Sequence, residues 1–148
     1  MKRNVWVLVC AGSTLVGSRA AFAGMPGSVT TADALAGWLG WIVVYLVLRG
    51  LAAIGVVNEM LAIHALTIGA IGGMTIGMMT RTARGHTGRP LRSDRFELIC
   101  YLLVALAAVL RVFGGLLFGS AYLQTVLASG VCWSAAFVIY ALRYWPVL

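Results

Sequence analysis

The sequence contains 148 residues, of which 61% are hydrophobic and 10% are charged, and its mean hydropathy is +0.97. Soluble domains are about 45–50% apolar and about 25% charged, so this composition excludes a soluble domain and predicts one integral membrane domain, residues 1–148. The formal net charge is +7. Because the arginines lie mostly at the ends of apolar runs, we expect the protein to contact an anionic lipid bilayer and no nucleic acid.

Residues 1–23 form an N-terminal hydrophobic segment whose role the sequence leaves open. Lys2 and Arg3 precede its apolar run, and Ala21-Phe22-Ala23 fits a signal-peptidase site. The segment is therefore either a retained membrane helix or a signal-like segment that is removed. Residues 24–37 are rich in glycine and small polar residues, and this composition predicts a loop.

Four longer apolar stretches follow, each close to the length of about 20 residues that a helix needs to cross a bilayer. We place them at 38–57, 60–80, 96–118 and 121–142. The joints after the first and third stretches are short, so each pair is predicted to form a tight antiparallel hairpin. Asp94 and Glu97, before the third stretch, have the spacing of a capping box. The expected fold is an all-α, polytopic membrane helical bundle with four transmembrane helices, or five if the N-terminal segment also spans.

The segment between the two hairpins is strongly basic. Its five arginines are Arg81, Arg84, Arg89, Arg92 and Arg95. Arg143 lies on the same side of the membrane after two further crossings. Cytoplasmic loops of membrane proteins carry an excess of lysine and arginine, so we expect residues 81–95 to face the cytoplasm. Five crossings would place Lys2 and Arg3 outside, and we give the five arginines more weight than these two charges.

The second stretch is predicted to have two different faces. Gly69, Gly73 and Gly77 recur at every fourth position, and such a stripe of small residues lets the backbone of a neighbouring helix approach closely. On the helical wheel Ile68, Ile71, Thr75 and Met78 lie within about 40° of His64, as does Met60. We therefore expect one face to pack against a helix and the other to present an imidazole with methionine sulfur nearby.

A histidine inside hydrocarbon is unfavourable unless its imidazole has a partner. For His64 this partner is either a metal or haem iron, or a neighbouring threonine or backbone carbonyl. Thr67, one turn further on, has a hydroxyl that can hold the second ring nitrogen. Met78 is either a soft copper ligand or a side chain that fills a gap in the packing. The pattern of residues leaves both pairs of alternatives open.

His86 lies in the turn that ends the second stretch, where Gly85 can terminate the helix and Pro90 prevents its continuation. This histidine is either a metal or haem ligand or a solvated residue of a surface turn. Arg84 and Arg89, on either side of it, can pair bidentately with carboxylates such as haem propionates. Lipid phosphates would satisfy both arginines equally well.

Arg49 and Arg111 each lie well inside a predicted helix, where an unpaired charge is costly. The acidic residues near them are Glu59, at the first hairpin joint, and Asp33, before the first helix, and neither is expected to reach both arginines. We therefore expect the carboxylate partners to come from a cofactor or from another subunit, unless the arginines extend to the lipid headgroups.

Two runs of residues flank the second helix. The first, His-Ala-Leu-Thr-Ile-Gly-Ala-Ile-Gly-Gly-Met, begins at His64, and the second, Gly-His-Thr-Gly-Arg-Pro-Leu, begins at Gly85. Together they resemble the NnrS family, the haem- and copper-containing membrane proteins of the bacterial nitric-oxide response. The likeness covers roughly residues 38–148, a four-helix region. Because family members are far longer, this region looks like their C-terminal portion only. The resemblance implies a multi-pass protein of the bacterial inner (cytoplasmic) membrane.

The resemblance also implies a haem site, with His64 or His86 as an axial ligand and Arg89 and Arg111 beside the propionates. Copper would take His64, His86 or Met78 as ligands. The two histidines lie about 30 Å apart if the segment between them is helical, so they cannot bind one iron. A second axial ligand would then be methionine, water or a residue of another chain. The implied role is in the nitric-oxide response or denitrification-linked metabolism, and whether the chain is an enzyme stays open.

A function of a different class is compatible with the same residues. A non-catalytic accessory or assembly subunit of a respiratory membrane complex would use its intramembrane arginines and its glycine stripe to contact other membrane subunits or a second copy of this chain. Haem absorbance of the purified protein distinguishes the two functions. The sequence contains no evident acid pair or nucleophile–base pair that would support hydrolysis.

Overall fold

The computed structural model describes residues 31–89, 91, 93–117 and 121–146, and the N-terminal hydrophobic segment predicted at residues 1–23 lies outside them. The described residues form four long helices and no strand. The helices are α1 (Thr31–Ala53), α2 (Glu59–His86), α3 (Arg95–Leu117) and α4 (Tyr122–Tyr144). Each is long and apolar enough to cross a membrane. The predicted all-α membrane bundle with four spanning helices is therefore confirmed.

The ends of α1 differ from the prediction. The helix begins at Thr31, so the loop predicted over 24–37 is wrong for its last seven residues, where alternating alanines favour helix. The helix ends at Ala53 and not at 57, because Gly55 adopts a left-handed backbone conformation with φ of 73° and turns the chain. The side chain of Asn58 then accepts a 2.8 Å hydrogen bond from the backbone N–H of Met60 and caps α2.

Helix α2 is longer than predicted and is not α-helical throughout. It is α-helical over Glu59–His64 and Gly73–His86, and the eight residues Ala65–Gly72 between them form a π-helix. A π-helix is wound more loosely because its hydrogen bonds join residues five positions apart. A wheel drawn with one constant period therefore fails across this segment, and His64 is rotated relative to the residues that follow Gly72.

The glycine stripe of α2 packs against α1. A Cβ atom at Gly69 would lie 2.4 Å from the ring of Trp41, and one at Gly73 would lie 2.1 Å from the ring of Trp38. The glycine face of α2 therefore packs closely against a neighbouring helix, as predicted. The expectation that a neighbouring backbone fills the stripe is wrong, because bulky indole side chains occupy the space that the missing side chains leave.

The two predicted hairpins are present, and the order of packing is α1 on α2, α2 on α3, and α3 on α4. The side chain of Thr125 in α4 packs against Gly114 of α3, and the ring of Trp133 in α4 packs against Gly72 of α2. Ile76, Val104 and several further apolar side chains are fully buried between the helices. The antiparallel order places the 87–94 segment and the last turn of α4 at one end of the bundle. The α1–α2 turn lies at the other end.

The orientation in the membrane gives a direct prediction. We expect the basic end of the bundle to face the cytoplasm, so a Leu91→Cys variant should resist an impermeant thiol reagent added to intact cells. The matched variant Val56→Cys, in the α1–α2 turn, should be labelled. Both positions are exposed, at 41% and 56%, so access across the membrane decides the result. Strong labelling at position 91 from outside would reverse the orientation.

Candidate cofactor site and buried charge cluster

His64 and Arg111 lie within electrostatic range of each other at the end of the bundle that carries the α1–α2 turn. His64 is half-buried at the junction between the first α-helical part of α2 and the π-helix. Arg111, on α3, lies near enough for its guanidinium to act electrostatically on the imidazole. Within the described part of the chain, no carboxylate forms an ion pair with Arg111. The sequence named both residues, but only the packing of α2 on α3 makes them neighbours.

The hydroxyl of Thr67 donates a 2.9 Å hydrogen bond to the backbone carbonyl of Ile63, one turn earlier in the helix. Its oxygen can still accept a hydrogen bond from a ring N–H of His64, so that role stays a prediction. Threonine in a helix commonly forms this local bond because its hydroxyl reaches the carbonyl four residues before it.

Arg49 has a partner within the chain. Its guanidinium forms an ion pair with Glu59, and both side chains are more than half exposed. The α1–α2 turn folds back so that the first residue of α2 lies beside the last turns of α1. The expectation that Arg49 requires a carboxylate from a cofactor or another subunit is therefore wrong, whereas for Arg111 it still stands.

His86 and Met78 lie on a different surface from His64. Both line an open, mostly apolar groove of about 630 Å³ between α2 and α4, together with Tyr140. His64 does not line this groove, so the predicted face that joins it to Met78 is wrong, and the π-helix is the reason. Two helical turns, about 12 Å, separate Met78 from His86, and helical side chains lean toward the N-terminus. Both side chains lean in the same direction, so the distance between them stays about two turns.

The metal ligands predicted from sequence are thus divided between two places. His64 lies at one end of the bundle, and His86 lies near the other end with Met78 two turns before it in the groove. Among the described residues, no three histidine, cysteine, aspartate or glutamate side chains come together in a group that could hold a metal ion. The roles of His64, His86 and Met78 as ligands remain predictions.

Arg84 is held by carboxylates of its own chain. It is buried, its Nε donates a 2.5 Å hydrogen bond to Oε1 of Glu97, and its Nη2 lies 3.3 Å from Oδ2 of Asp94. The expected pairing of Arg84 with a haem propionate or a lipid phosphate is therefore not supported. Arg89 is half-buried, and its backbone N–H donates to the carbonyl of Arg84.

These contacts belong to a larger group that ties α2, α3 and α4 together. We call it the charge cluster, and its members are Arg84, Asp94, Glu97, Arg143 and Tyr144. The hydroxyl of Tyr144 donates to Glu97, and Arg143 lies 3.2 Å from Asp94. The predicted capping box is confirmed, because Asp94 and Glu97 each accept from the other's backbone N–H, at 3.0 and 2.9 Å.

Asp94 lies at the exposed edge of the cluster, just before α3. Burial alone would raise the pKa of Asp94, but the hydrogen bond from the N–H of Glu97 and the guanidinium groups of Arg143 and Arg84 outweigh burial and lower this pKa. Asp94 therefore stays ionised at neutral pH. Its contribution to stability is present above its usual pKa and is lost only as stronger acid protonates it.

Sequence reasoning recognised the capping box but missed the cluster around it. A usable signal was present, since the hairpin topology brings Arg84, Arg143 and the two capping acids to one end of the bundle. The sequence does not specify how far each helix is rotated about its own axis. That rotation decides that Glu97 points inward, where it is only 2% exposed.

The sequence matches the family model of the NnrS protein over residues 2–148. The likeness was expected over roughly 38–148, so the match extends it through the N-terminal segment. No curated protein and no solved structure gives a significant match. The family match covers far more than half of the chain and agrees with the four spanning helices, so this chain belongs to the NnrS family.

Proposed function

We propose that this chain binds haem where His64 and Arg111 meet, and that it acts in the nitric-oxide response or in denitrification-linked metabolism. Family membership supports the proposal. The observation that carries it is the position of a half-buried imidazole beside an intramembrane arginine that has no carboxylate partner in the described part of the chain. A charged side chain within a membrane helix is costly without a partner and marks a functional site by default.

The donor set fits a haem. An imidazole nitrogen is a common axial ligand of haem iron, and a guanidinium pairs bidentately with a propionate carboxylate. Haem would supply an iron centre able to bind a small diatomic ligand such as nitric oxide. The role of this chain is to orient the haem through His64 and to neutralise a propionate through Arg111. His86 lies about 30 Å further along α2, so His64 and His86 of one copy could not hold the same haem.

Copper has less support. His86 and Met78 line one groove but are two helical turns, about 12 Å, apart, so they do not by themselves form a site for one ion. A copper ion bound at either residue would need further donors from another chain or from residues outside the described part. We therefore place haem at the centre of the proposal and leave copper as a secondary part of it.

The visible spectrum of the purified protein tests the haem site. Protein from haem-replete cells is expected to show a Soret band, and His64→Ala is expected to remove or shift it while the protein still elutes as a folded species. The control is His86→Ala, which should leave the band unchanged. Haem that stays bound with an unaltered spectrum in His64→Ala would move the ligand to another residue. A wild-type protein without a Soret band would favour the accessory-subunit function.

Arg111 provides a second, independent test. Arg111→Gln is expected to lower haem retention during purification several-fold, because a propionate would lose its charged partner, while the position of the remaining Soret band should change little. The matched control is Arg49→Gln, since Arg49 is also an intramembrane arginine but pairs with Glu59. Equal haem loss in both variants would mean that the change reflects general destabilisation and not a propionate contact.

A further inference from the structure

An open groove runs along the lipid-facing surface between α2 and α4, and it is longer than the part that His86 and Met78 line. A second groove of about 560 Å³ adjoins the first and shares Met79 and Tyr140 with it. On α2 the lining runs from Ile71 to His86, a distance of about 20 Å along the helix axis. One leaflet has about the same thickness, since a whole bilayer with its headgroups measures about 40–45 Å. The groove therefore has the length of one lipid molecule.

The walls of this groove are apolar and adaptable. Three of the six methionines of the chain, Met74, Met78 and Met79, line it, and unbranched methionine side chains adjust to irregular partners. Toward the α1–α2 turn the groove is bounded where the ring of Trp133 packs against Gly72 and joins the two helices. The groove therefore runs from the middle of the bundle to its basic end, and its shape suits one flexible hydrocarbon chain.

The basic end of the groove carries positive charge that the described part of the chain does not balance. Within the charge cluster two arginines face two carboxylates, so their charges cancel. Arg81 and Arg89 form no ion pair with any described carboxylate. Arg81 is exposed and follows Met78 by three residues, on the same side of α2, and Arg89 follows the lining residue His86 by three. Trp145, which also lines the groove at this end, is 85% exposed, as is usual for tryptophan at a membrane surface.

We propose that this groove binds one anionic phospholipid from the leaflet at the basic end of the bundle. One acyl chain lies along the methionines, and the phosphate pairs with the guanidinium groups of Arg81 and Arg89, which match phosphate oxygens bidentately. The imidazole N–H of His86 donates a further hydrogen bond to the same headgroup. The bound lipid covers the joint between α2 and α4. The site shares no residue with the proposed haem site at His64 and Arg111.

Charge favours a lipid over the other apolar partners that could fill the groove. A second copy in the same membrane orientation would bring its own basic end against this one. Residues 1–30, which precede α1, contain no acidic residue, so the N-terminal segment cannot neutralise the arginines either. Only a partner that joins a hydrocarbon chain to an anionic group satisfies both ends of the groove.

Native mass spectrometry of the full chain in a mild detergent tests the headgroup contact. Dioleoyl phosphatidylglycerol and dioleoyl phosphatidylcholine carry the same acyl chains, and the anionic lipid is expected to bind several-fold more tightly. Arg81→Gln should remove most of this preference. Arg95→Gln is the matched control and should keep it, because Arg95 is exposed at the same end and has no ion pair among the described residues, but begins α3, away from the groove. Equal affinities of the wild type for the two lipids, or equal losses in the two variants, would overturn the proposal.

Filling the groove tests the contact with the acyl chain. Met78→Trp is expected to weaken phosphatidylglycerol binding several-fold, whereas Val138→Trp should not, since Val138 is 55% exposed on α4 and does not line the groove. Thr75→Phe, at a second exposed lining position, repeats the test if Met78→Trp does not elute as a folded species. Unchanged lipid binding in a folded groove variant overturns the proposal, because surface charge alone then holds the lipid. A wild-type dimer that the groove variants separate, with lipid affinity unchanged, also overturns it, because the occupant is then a second copy.

Discussion

Replacing Gly73 with leucine is expected to prevent the bundle from assembling. A Cβ atom at this position would lie 2.1 Å from the ring of Trp38, and Trp38 is itself only 4% exposed, so the ring has little room to move. Overpacking by even small groups costs about 1–3 kcal/mol, and Gly73→Ala should already lower the thermal midpoint. The larger leucine should reduce the yield of monodisperse protein in detergent severely.

The control for this experiment is Gly130→Leu on α4. Gly130 is exposed, and a Cβ atom there would have nothing within 4 Å, so the variant should accumulate and elute like the wild type. Both changes add the same side chain to a membrane helix, so a difference between them reports on packing against α1. A Gly73→Leu protein that is as abundant and monodisperse as the wild type would show that the glycine face does not pack as described.

Glu97→Gln is expected to destabilise the protein strongly. Glu97 and Arg84 are 2% and 9% exposed at their side chains, and breaking a buried ion pair by removing one partner typically costs about 3–5 kcal/mol. The neutral amide would face a guanidinium that still carries its charge. Thermal unfolding followed with a thiol-reactive dye measures this effect in a background where Cys10 and Cys132 are replaced by serine. Cys100 lies one turn beyond Glu97 and is 3% exposed, so its thiol becomes accessible when the bundle opens.

Glu59→Gln is the matched control because it also removes one carboxylate from an arginine pair. Arg49 and Glu59 are 52% and 57% exposed at their side chains, and exposed ion pairs contribute about 0–1 kcal/mol. A double variant, Arg84→Met with Glu97→Met, should recover part of the stability that Glu97→Gln loses, because well-packed apolar residues often replace a buried pair at little cost. Equal effects of Glu97→Gln and Glu59→Gln would contradict the burial of the charge cluster.

The two variants of the proposed haem site act at the opposite end of the bundle from the charge cluster. His64 and Arg111 lie near the α1–α2 turn, whereas Glu97 lies beside the 87–94 segment. Bound haem would itself stabilise the folded protein, so loss of haem in His64→Ala with the unfolding midpoint of the haem-free wild type would indicate a ligand role. Loss of stability in Glu97→Gln with an unchanged spectrum would indicate a structural role. The two readouts together keep the proposed function separate from the integrity of the fold.

The amino-acid sequence by itself determined the features that depend on neighbouring residues along the chain. The four spanning helices follow from the length and hydropathy of each stretch, and the two hairpins follow from the short joints between them. The capping box at Asp94 and Glu97 follows from a spacing of three residues, and the tight face of α2 follows from glycine at every fourth position. Each of these features is a local pattern, so periodicity and composition are enough to predict it.

Only the tertiary structure decided which side chains from different helices meet. The π-helix of α2 rotates His64 away from Met78, and the packing of α2 on α3 places the histidine beside Arg111. The turn at Gly55 brings Glu59 to Arg49, and the burial of Glu97 directs it to Arg84. These pairs depend on the rotation of each helix about its own axis. Contacts with neighbouring helices fix that rotation, and no pattern within a single helix records it.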